Sequence, residues 1–207
     1  MSQSVLDLLR EQFGSAIVET HSQWGDDTAV VLPERWREVA RFVRDEPRAR
    51  MDMFIDLTAV DYLGRPGPRF EVVLHLRSHE LAYRLRLKTR VGAADGREAR
   101  LDSLCDVWAG ANWFERECYD MFGVEFTGHP DLRRILLYEQ FQGAPLRKDY
   151  PAGHTQPLVK YRDDAPALEP PFGPDEGMPL GRKVPAGVPC RSSGGAPAPL
   201  RPEPEEP

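Results

Sequence analysis

The stretch Phe70-Glu-Val-Val-Leu-His-Leu-Arg-Ser-His-Glu-Leu-Ala-Tyr-Arg-Leu-Arg-Leu-Lys88 decides the fold class. Phe70, Val72, Leu74 and Leu76 alternate with Glu71, Val73, His75 and Arg77. Beyond the Ser78-His-Glu turn, Leu81, Tyr83, Leu85 and Leu87 alternate with Arg84, Arg86 and Lys88. Successive side chains of a strand point to opposite faces, so this pattern predicts an antiparallel hairpin with one apolar and one polar face. The basic row Arg84, Arg86 and Lys88 is either a solvated sheet face or a docking surface for an acidic partner. Sequence order alone leaves both open.

Before the hairpin, Met53 to Leu57 reads as a buried strand, separated from it by the breaker Gly64-Arg-Pro-Gly-Pro68. Trp36, Val39, Ala40 and Val43 fall on one face of a helix that Pro33 opens and Pro47 stops. Ile17 to Glu19 and Thr28 to Leu32 read as short paired strands around a turn through Gly25 and Asp26, and Val5, Leu8, Leu9 and Phe13 as a short amphipathic helix ending at Gly14. After the hairpin, Ser103-Leu-Cys-Asp106 resembles a capping box with Asp in place of Glu. Trp108, Ala111, Glu115, Cys118 and Phe122 follow at intervals of three or four, which predicts a helix as far as Gly123. Cys118 lies on its buried stripe, and Arg116 with Asp120 stands at an i, i+4 spacing that permits an ion pair.

These elements describe an α+β domain over residues 1–150, a small mixed or antiparallel sheet with flanking helices. Residues 151–207 form a Pro/Gly-rich tail. Fourteen of the 20 prolines lie from Pro151 onward, and the tail keeps only Tyr161 and Phe172 as aromatics. Such a composition cannot build a core, so the segment from Ala165 is expected to be extended, either solvated or ordered along a partner.

Composition narrows the function. With 41% hydrophobic and 29% charged residues the chain suits a globular domain, and no run nears the roughly 20 apolar residues of a membrane span. The net charge of -6 argues against general nucleic-acid affinity. The start carries no basic, apolar leader pattern, which points to the cytoplasm. Three cysteines, Cys105, Cys118 and Cys190, with no Cys-x-x-Cys, make neither a disulfide framework nor a cluster-ligand set. Gly64, Gly67 and Gly92 are not set between a strand and a helix, so no phosphate-cradling loop for NAD or FMN is expected.

The run Glu115-Arg-Glu-Cys-Tyr-Asp-Met-Phe-Gly-Val-Glu-Phe-Thr-Gly-His-Pro-Asp-Leu-Arg-Arg-Ile-Leu136 resembles the signature of the respiratory complex I 30-kDa subunit family. Phe54-Ile-Asp-Leu-Thr-Ala-Val-Asp-Tyr62, Trp108-Ala-Gly-Ala-Asn-Trp113 and Pro145-Leu-Arg-Lys-Asp-Tyr-Pro151 also look like the family, so the likeness covers most of residues 1–151 and stops near Pro157. The resemblance implies a cofactor-free scaffold in the peripheral arm of proton-translocating NADH:quinone oxidoreductase, with FMN and iron–sulfur clusters in partner subunits. Its neighbours would be the quinone-site (D-type) subunit and adjacent iron–sulfur subunits. Its place would be the cytoplasmic face of the cell membrane, touching the membrane only through the complex. The counterpart subunit of a membrane-bound hydrogenase or formate hydrogenlyase is the alternative.

Glu115, Arg116, Glu117, Asp120, His129, Arg133, Arg134, Arg147 and Lys148 are the candidate signature and interface residues. Exposed ion pairs stabilise little, so four charges on one helix suggest docking, and the two basic doublets suit carboxylates of a neighbouring subunit or a solvated loop. His129 stands in the turn Gly128-His-Pro-Asp. No second His, carboxylate pair or thiolate accompanies it at ligand spacing, which favours a structural hydrogen bond over a base or metal ligand. A stand-alone enzyme built on Cys118, His129 and Asp131 would lack a third orienting group.

Overall fold

The computed structural model describes residues 3–159, so the expectation for the segment from Ala165 lies outside the described residues. Met1–Tyr150 forms one unit and the chain from Pro151 a second. Within the first, α1 (Gln3–Phe13) leads through a 3-10 turn into β1 (Ile17–Gln23) and β2 (Asp26–Val31). Then come α2 (Trp36–Asp45), β3 (Met53–Asp61), β4 (Phe70–Arg77), β5 (Arg84–Val91), β6 (Arg100–Asp102), α3 (Ala111–Phe122) and β7 (Glu125–Thr127). The fold is α+β: a mixed five-stranded sheet in the order β1-β2-β5-β4-β3, with β6 and β7 paired as a second, parallel ribbon.

The hairpin sits at the sheet's centre, with Phe70 opposite Val91 and Arg77 opposite Arg84. Strand β5 pairs parallel with β2 on its other side, a contact that local patterning does not encode. Leu85, Leu87 and Val91 of β5, with Phe70, Val72, Leu74 and Leu76 of β4, join Val5, Leu8 and Leu9 of α1 and Trp36, Val39, Ala40 and Val43 of α2 in one buried cluster. Burying each large apolar side chain contributes about 1.5–3 kcal/mol, so this shared face is the main stabilising term.

Three local expectations change. Strand β3 runs on to Asp61 and starts exposed, at Met53 and Ile55, with a register irregularity before Asp56. Strand β4 is buried on both faces, Glu71 and Val73 included, and Lys88 and Arg90 reach across from β5 to the Glu71 carboxylate, at 2.9 and 3.3 Å. The third helix starts at Ala111, not at Ser103, which instead donates its N–H to the Thr127 carbonyl beside the β6–β7 ribbon. Asp106 does not cap a helix; it pairs with Arg37 at 2.7 Å and with Arg41, tying this loop to α2.

One buried cation fixes the end of the sheet. Arg69, 2% exposed, lays its guanidinium along the Asp61 carboxylate, Nε to Oδ1 at 2.9 Å and Nη2 to Oδ2 at 2.8 Å. Its remaining donors meet Asp149 at 2.9 and 2.8 Å. Lys148 adds its backbone N–H to Asp61 Oδ2 at 2.8 Å, and Arg147 stacks over Phe70 and reaches Asp149. Segment 145–150, which has no regular structure, is thereby held to β3 and β4. Gly96 has φ +79° and packs so closely that an added Cβ would lie 2.8 Å from Arg69 Nη1.

Hydrogen bonds from Arg69 hold both Asp61 and Asp149 below the ordinary carboxylate range. A depressed folded-state pKa contributes stability that is present above the unfolded value, about pH 4, and is lost as pH falls through the folded value. We expect Arg69→Met to cost about 3–5 kcal/mol in urea unfolding at neutral pH, since it strands a buried carboxylate. Its stability should also fall less steeply with acid than that of the parent. An unchanged midpoint at neutral pH would show that the clasp does not hold the fold.

Candidate functional site

Helix α3 and the chain that follows it bring the signature residues together. The helix ends at Gly123, whose left-handed φ of 76° lets its N–H turn back to the Tyr119 carbonyl. Ala111, Glu115, Cys118 and Phe122 face the core at intervals of three and four, whereas Trp113 is 68% exposed and Glu117 lies in solvent. Two of the four expected docking charges, Glu115 and Asp120, are fully buried within this chain.

A buried carboxylate must find donors, and a helix has used its own. Glu115 Oε1 accepts the Leu104 N–H at 2.6 Å, and Oε2 accepts the Ser103 hydroxyl at 2.7 Å with the Cys105 thiol at 3.5 Å. The apparent capping box is therefore the donor half of a longer-range contact. Burial pushes the Glu115 carboxyl above its ordinary range, and the hydrogen bonds from Leu104, Ser103 and Cys105 pull against it.

Asp120 does the same on the other side. Its Oδ2 accepts three successive backbone N–H groups, Ile135 at 3.1 Å and Leu136 and Leu137 at 2.9 Å, while Oδ1 takes Arg134 Nη1 at 2.7 Å. Burial opposes its ionisation, but the Leu137 N–H, the Arg134 guanidinium and the other two amides outweigh it and hold the carboxyl low. Arg134 continues to the Phe141 and Gly143 carbonyls at 3.0 Å. Arg116 forms no pair with Asp120; it donates to the Arg133 and Arg134 carbonyls, both at 3.0 Å. Two side chains of one helix thus clamp segment 133–137.

Of the remaining candidates, Arg133 pairs with Asp131 at 2.9 Å on the surface, and Arg147 and Lys148 belong to the Arg69 clasp. His129 Nδ1 accepts the Asp131 backbone N–H at 3.0 Å, and Nε2 lies 3.1 Å from the Asn112 carbonyl, a pattern that the Nε2–H tautomer satisfies.

The fold also does what spacing did not suggest: it gathers a thiol and a carboxylate beside His129. Donor atoms of Cys105, Glu115 and His129 lie within 4.8 Å of one another. The set fits a metal poorly, because both ring nitrogens and both Glu115 oxygens already hold hydrogen bonds, and burial pushes the Cys105 thiol up to about 11. Cys118 is 1% exposed with its thiol raised by burial, and the Asp131 carboxylate turns to Arg133, so these two and His129 form no nucleophile–base–acid relay.

Arg69, Asp61, Asp149, Ser103 and Cys105 are the residues that spacing missed. Asp61 and Asp149 stand in two of the stretches that carry the family resemblance, and Arg69 is what joins them.

We expect Glu115→Gln to be within about 1 kcal/mol of the parent, since an amide keeps an acceptor for Leu104 and suits the Ser103 hydroxyl. Glu115→Ala should cost about 2–4 kcal/mol by leaving those donors unpaired. A raised folded-state pKa contributes stability that is present below the unfolded value, about pH 4, and is lost as pH rises from there through the folded value. The Gln variant should therefore gain on the parent over that rise and no further above it. Equal costs for Ala and Gln in denaturant titrations would contradict this assignment.

Known proteins share both the sequence and the fold. Residues 29–156 match the family model described as respiratory-chain NADH dehydrogenase, 30 Kd subunit. The chain is 44% identical over 169 residues to the C-type subunit of the NADH-quinone oxidoreductase of Roseiflexus sp. (strain RS-1), covering 82% of this chain and 95% of the relative. It is 44% identical over 143 residues to the corresponding subunit of Geobacter sulfurreducens, covering 69% and 85%. Among solved structures it resembles a trypsin-resistant fragment of Nqo5, with a TM-score of 0.51 and 31% identity over 63% of this chain and 98% of that one. A chain of an archaeal membrane-bound sulfane sulfur reductase shares the fold, with a TM-score of 0.58 and 23% identity over 72% and 85%. Among the described residues no helix is long and apolar enough to cross a membrane. The stretch from Glu115 to Leu136, with its buried acids and the segment they hold, lies inside the matched region, and the chain belongs to the respiratory-chain NADH dehydrogenase 30-kDa subunit family.

Proposed function

We propose that this chain is a structural subunit of NADH:quinone oxidoreductase, seated in the peripheral arm on the cytoplasmic face of the membrane beside the quinone-site subunit and adjacent iron–sulfur subunits. In this reading electrons pass from NADH through FMN and iron–sulfur clusters in those neighbours to quinone, coupled to proton translocation. This chain contributes a rigid shape. The observation that carries the reading is the extensive agreement with relatives that are themselves subunits of NADH-quinone oxidoreductase. It is supported by a site whose Glu115, Asp120 and Arg134 are spent on internal hydrogen bonds that order an exposed segment, an arrangement suited to holding a surface in place. The same relatives favour it over the hydrogenase counterpart.

An affinity tag on the chain should carry NADH:quinone activity out of detergent-solubilised membranes, and deleting the gene should abolish assembly of the arm. Cys118→Ser and Cys105→Ser should leave turnover per assembled complex unchanged. A tagged chain that elutes alone, with NADH:quinone activity intact in the deletion strain, would contradict membership. Loss of turnover in a fully assembled Cys variant would contradict the scaffold role.

A further inference from the structure

The register of the five-stranded sheet lines up one row of residues at its end. Gln23 lies opposite Asp26 across the β1–β2 turn, Arg84 opposite Arg77 and Arg77 opposite Met53. Strand β2 meets β5 with Thr28 beside Arg86, so the parallel register brings Asp26 to the level of Arg84. Trp24 stands at the tip of the turn, wholly exposed and at φ 58°, a backbone region that bulky residues seldom occupy. Met53 and Ile55, 43% and 38% exposed, close the row on the far edge strand.

Two features set this row apart from an ordinary solvated edge. Arg77 and Arg84 are like charges directly opposite each other, an arrangement that disfavours strand pairing, and both are exposed. Among the described residues neither makes an ion pair or a side-chain hydrogen bond, whereas the other basic groups of this face are engaged: Arg86 with Asp26, and Lys88 and Arg90 with Glu71. Most of the nearby acids are occupied. Asp26 is held by Arg86, Glu80 pairs with Arg50, and Asp52 takes the His79 N–H; Asp27, buried, accepts from Ser22 through Oδ1 and leaves Oδ2 without a partner among the described residues. Asp56, opposite His75 and further along the ladder, makes no ion pair among the described residues. Within the row itself the uncompensated charge is positive, on Arg77 and Arg84. Beside it a cleft of about 160 Å³ is lined by Arg84, Arg86, His75 and Ile55, with Asp26 and Asp27 at its acidic side.

We infer that this row is a protein-docking surface, with Trp24 as its aromatic anchor and Arg77 and Arg84 as paired carboxylate receptors, and that its occupant is an acidic segment of a neighbouring subunit. Tryptophan, arginine and methionine are enriched at interfaces, and the first two are enriched where binding energy concentrates. A guanidinium pair at the spacing of adjacent strands takes two carboxylates of one extended peptide. The inference rests on the proposal that the chain works within a larger complex, and it adds which face is used and what chemistry meets it.

The test uses the assembled complex. With benzoylphenylalanine in place of Trp24, irradiation should join this chain to a peptide of a neighbouring subunit that contains at least two Asp or Glu residues. The double variant Arg77→Glu, Arg84→Glu should lower that cross-link about tenfold or more, and Arg77→Gln, Arg84→Gln should lower it less. The melting temperature of the purified full chain should not fall in either variant, since neither arginine has an internal partner, and the Gln pair, which removes the like charges, should hold or raise it. A cross-link to residues of this same chain, to lipid, or to a peptide without acids would overturn the inference, as would no cross-link at all or a yield that charge reversal leaves intact. If the tagged chain carries NADH:quinone activity yet charge reversal has no effect, only this inference fails. If the chain does not co-purify with that activity, both fall.

Discussion

A carboxylate taken out of water on the buried face of a helix has to be satisfied by groups that the helix cannot supply, and α3 contains two of them. Glu115 and Asp120 are fully buried, and each reaches for donors in chain that has no regular structure of its own, at 103–105 and at 134–137. Leaving either unpaired would cost more than most single contacts return, so the loops on both sides of α3 take the shape that the acids require. Asp120 acts as a cap for a segment that is not a helix, gathering three consecutive amides on one oxygen. The Arg69 clasp repeats the device with the charges exchanged: a buried cation collects Asp61 from the sheet and Asp149 from the chain beyond the signature.

The consequence is a particular division of labour. The sheet and the apolar stripes of α1 and α2 provide most of the burial, while the part of the signature region beyond β7, which has no regular structure, is ordered by charge-assisted hydrogen bonds. Leu136, at 62% exposure, is presented by a backbone that Asp120 and Arg116 hold from beneath. An exposed apolar side chain on a clamped backbone is already arranged for contact, and ordering it before binding lowers the entropic cost of association. That arrangement is what the proposed scaffold role requires.

The periodic parts of this architecture were legible in the sequence. The alternation over Phe70 to Lys88 located the central hairpin, and the spacing of Trp36, Val39, Ala40 and Val43 located α2, because burial on one face imposes a period that survives in a single chain. Contacts between distant segments were not legible. Nothing in Thr28 to Leu32 announces a parallel partner at Arg86 to Lys88, and the three-residue strands β6 and β7 are too short to show a pattern. Ser103 and Asp106 had the spacing of a capping box, but Gly110 separates them from the helix and their partners are Glu115 and Arg37. Arg116 and Asp120 had the spacing of an ion pair, yet both were claimed by the returning segment. Local spacing lists which contacts are possible; burial decides which are made.

The chain beyond β7 keeps its shape because Asp120 holds segment 135–137 in place. Native-state amide hydrogen exchange tests this most directly, at the Ile135, Leu136 and Leu137 amides of the parent and of Asp120→Ala. Protected amides are expected in the parent and exchange about tenfold or more faster at all three in the variant, while Leu74 and Leu87 of the central hairpin keep their protection. Unchanged exchange at residues 135–137 in Asp120→Ala would contradict it.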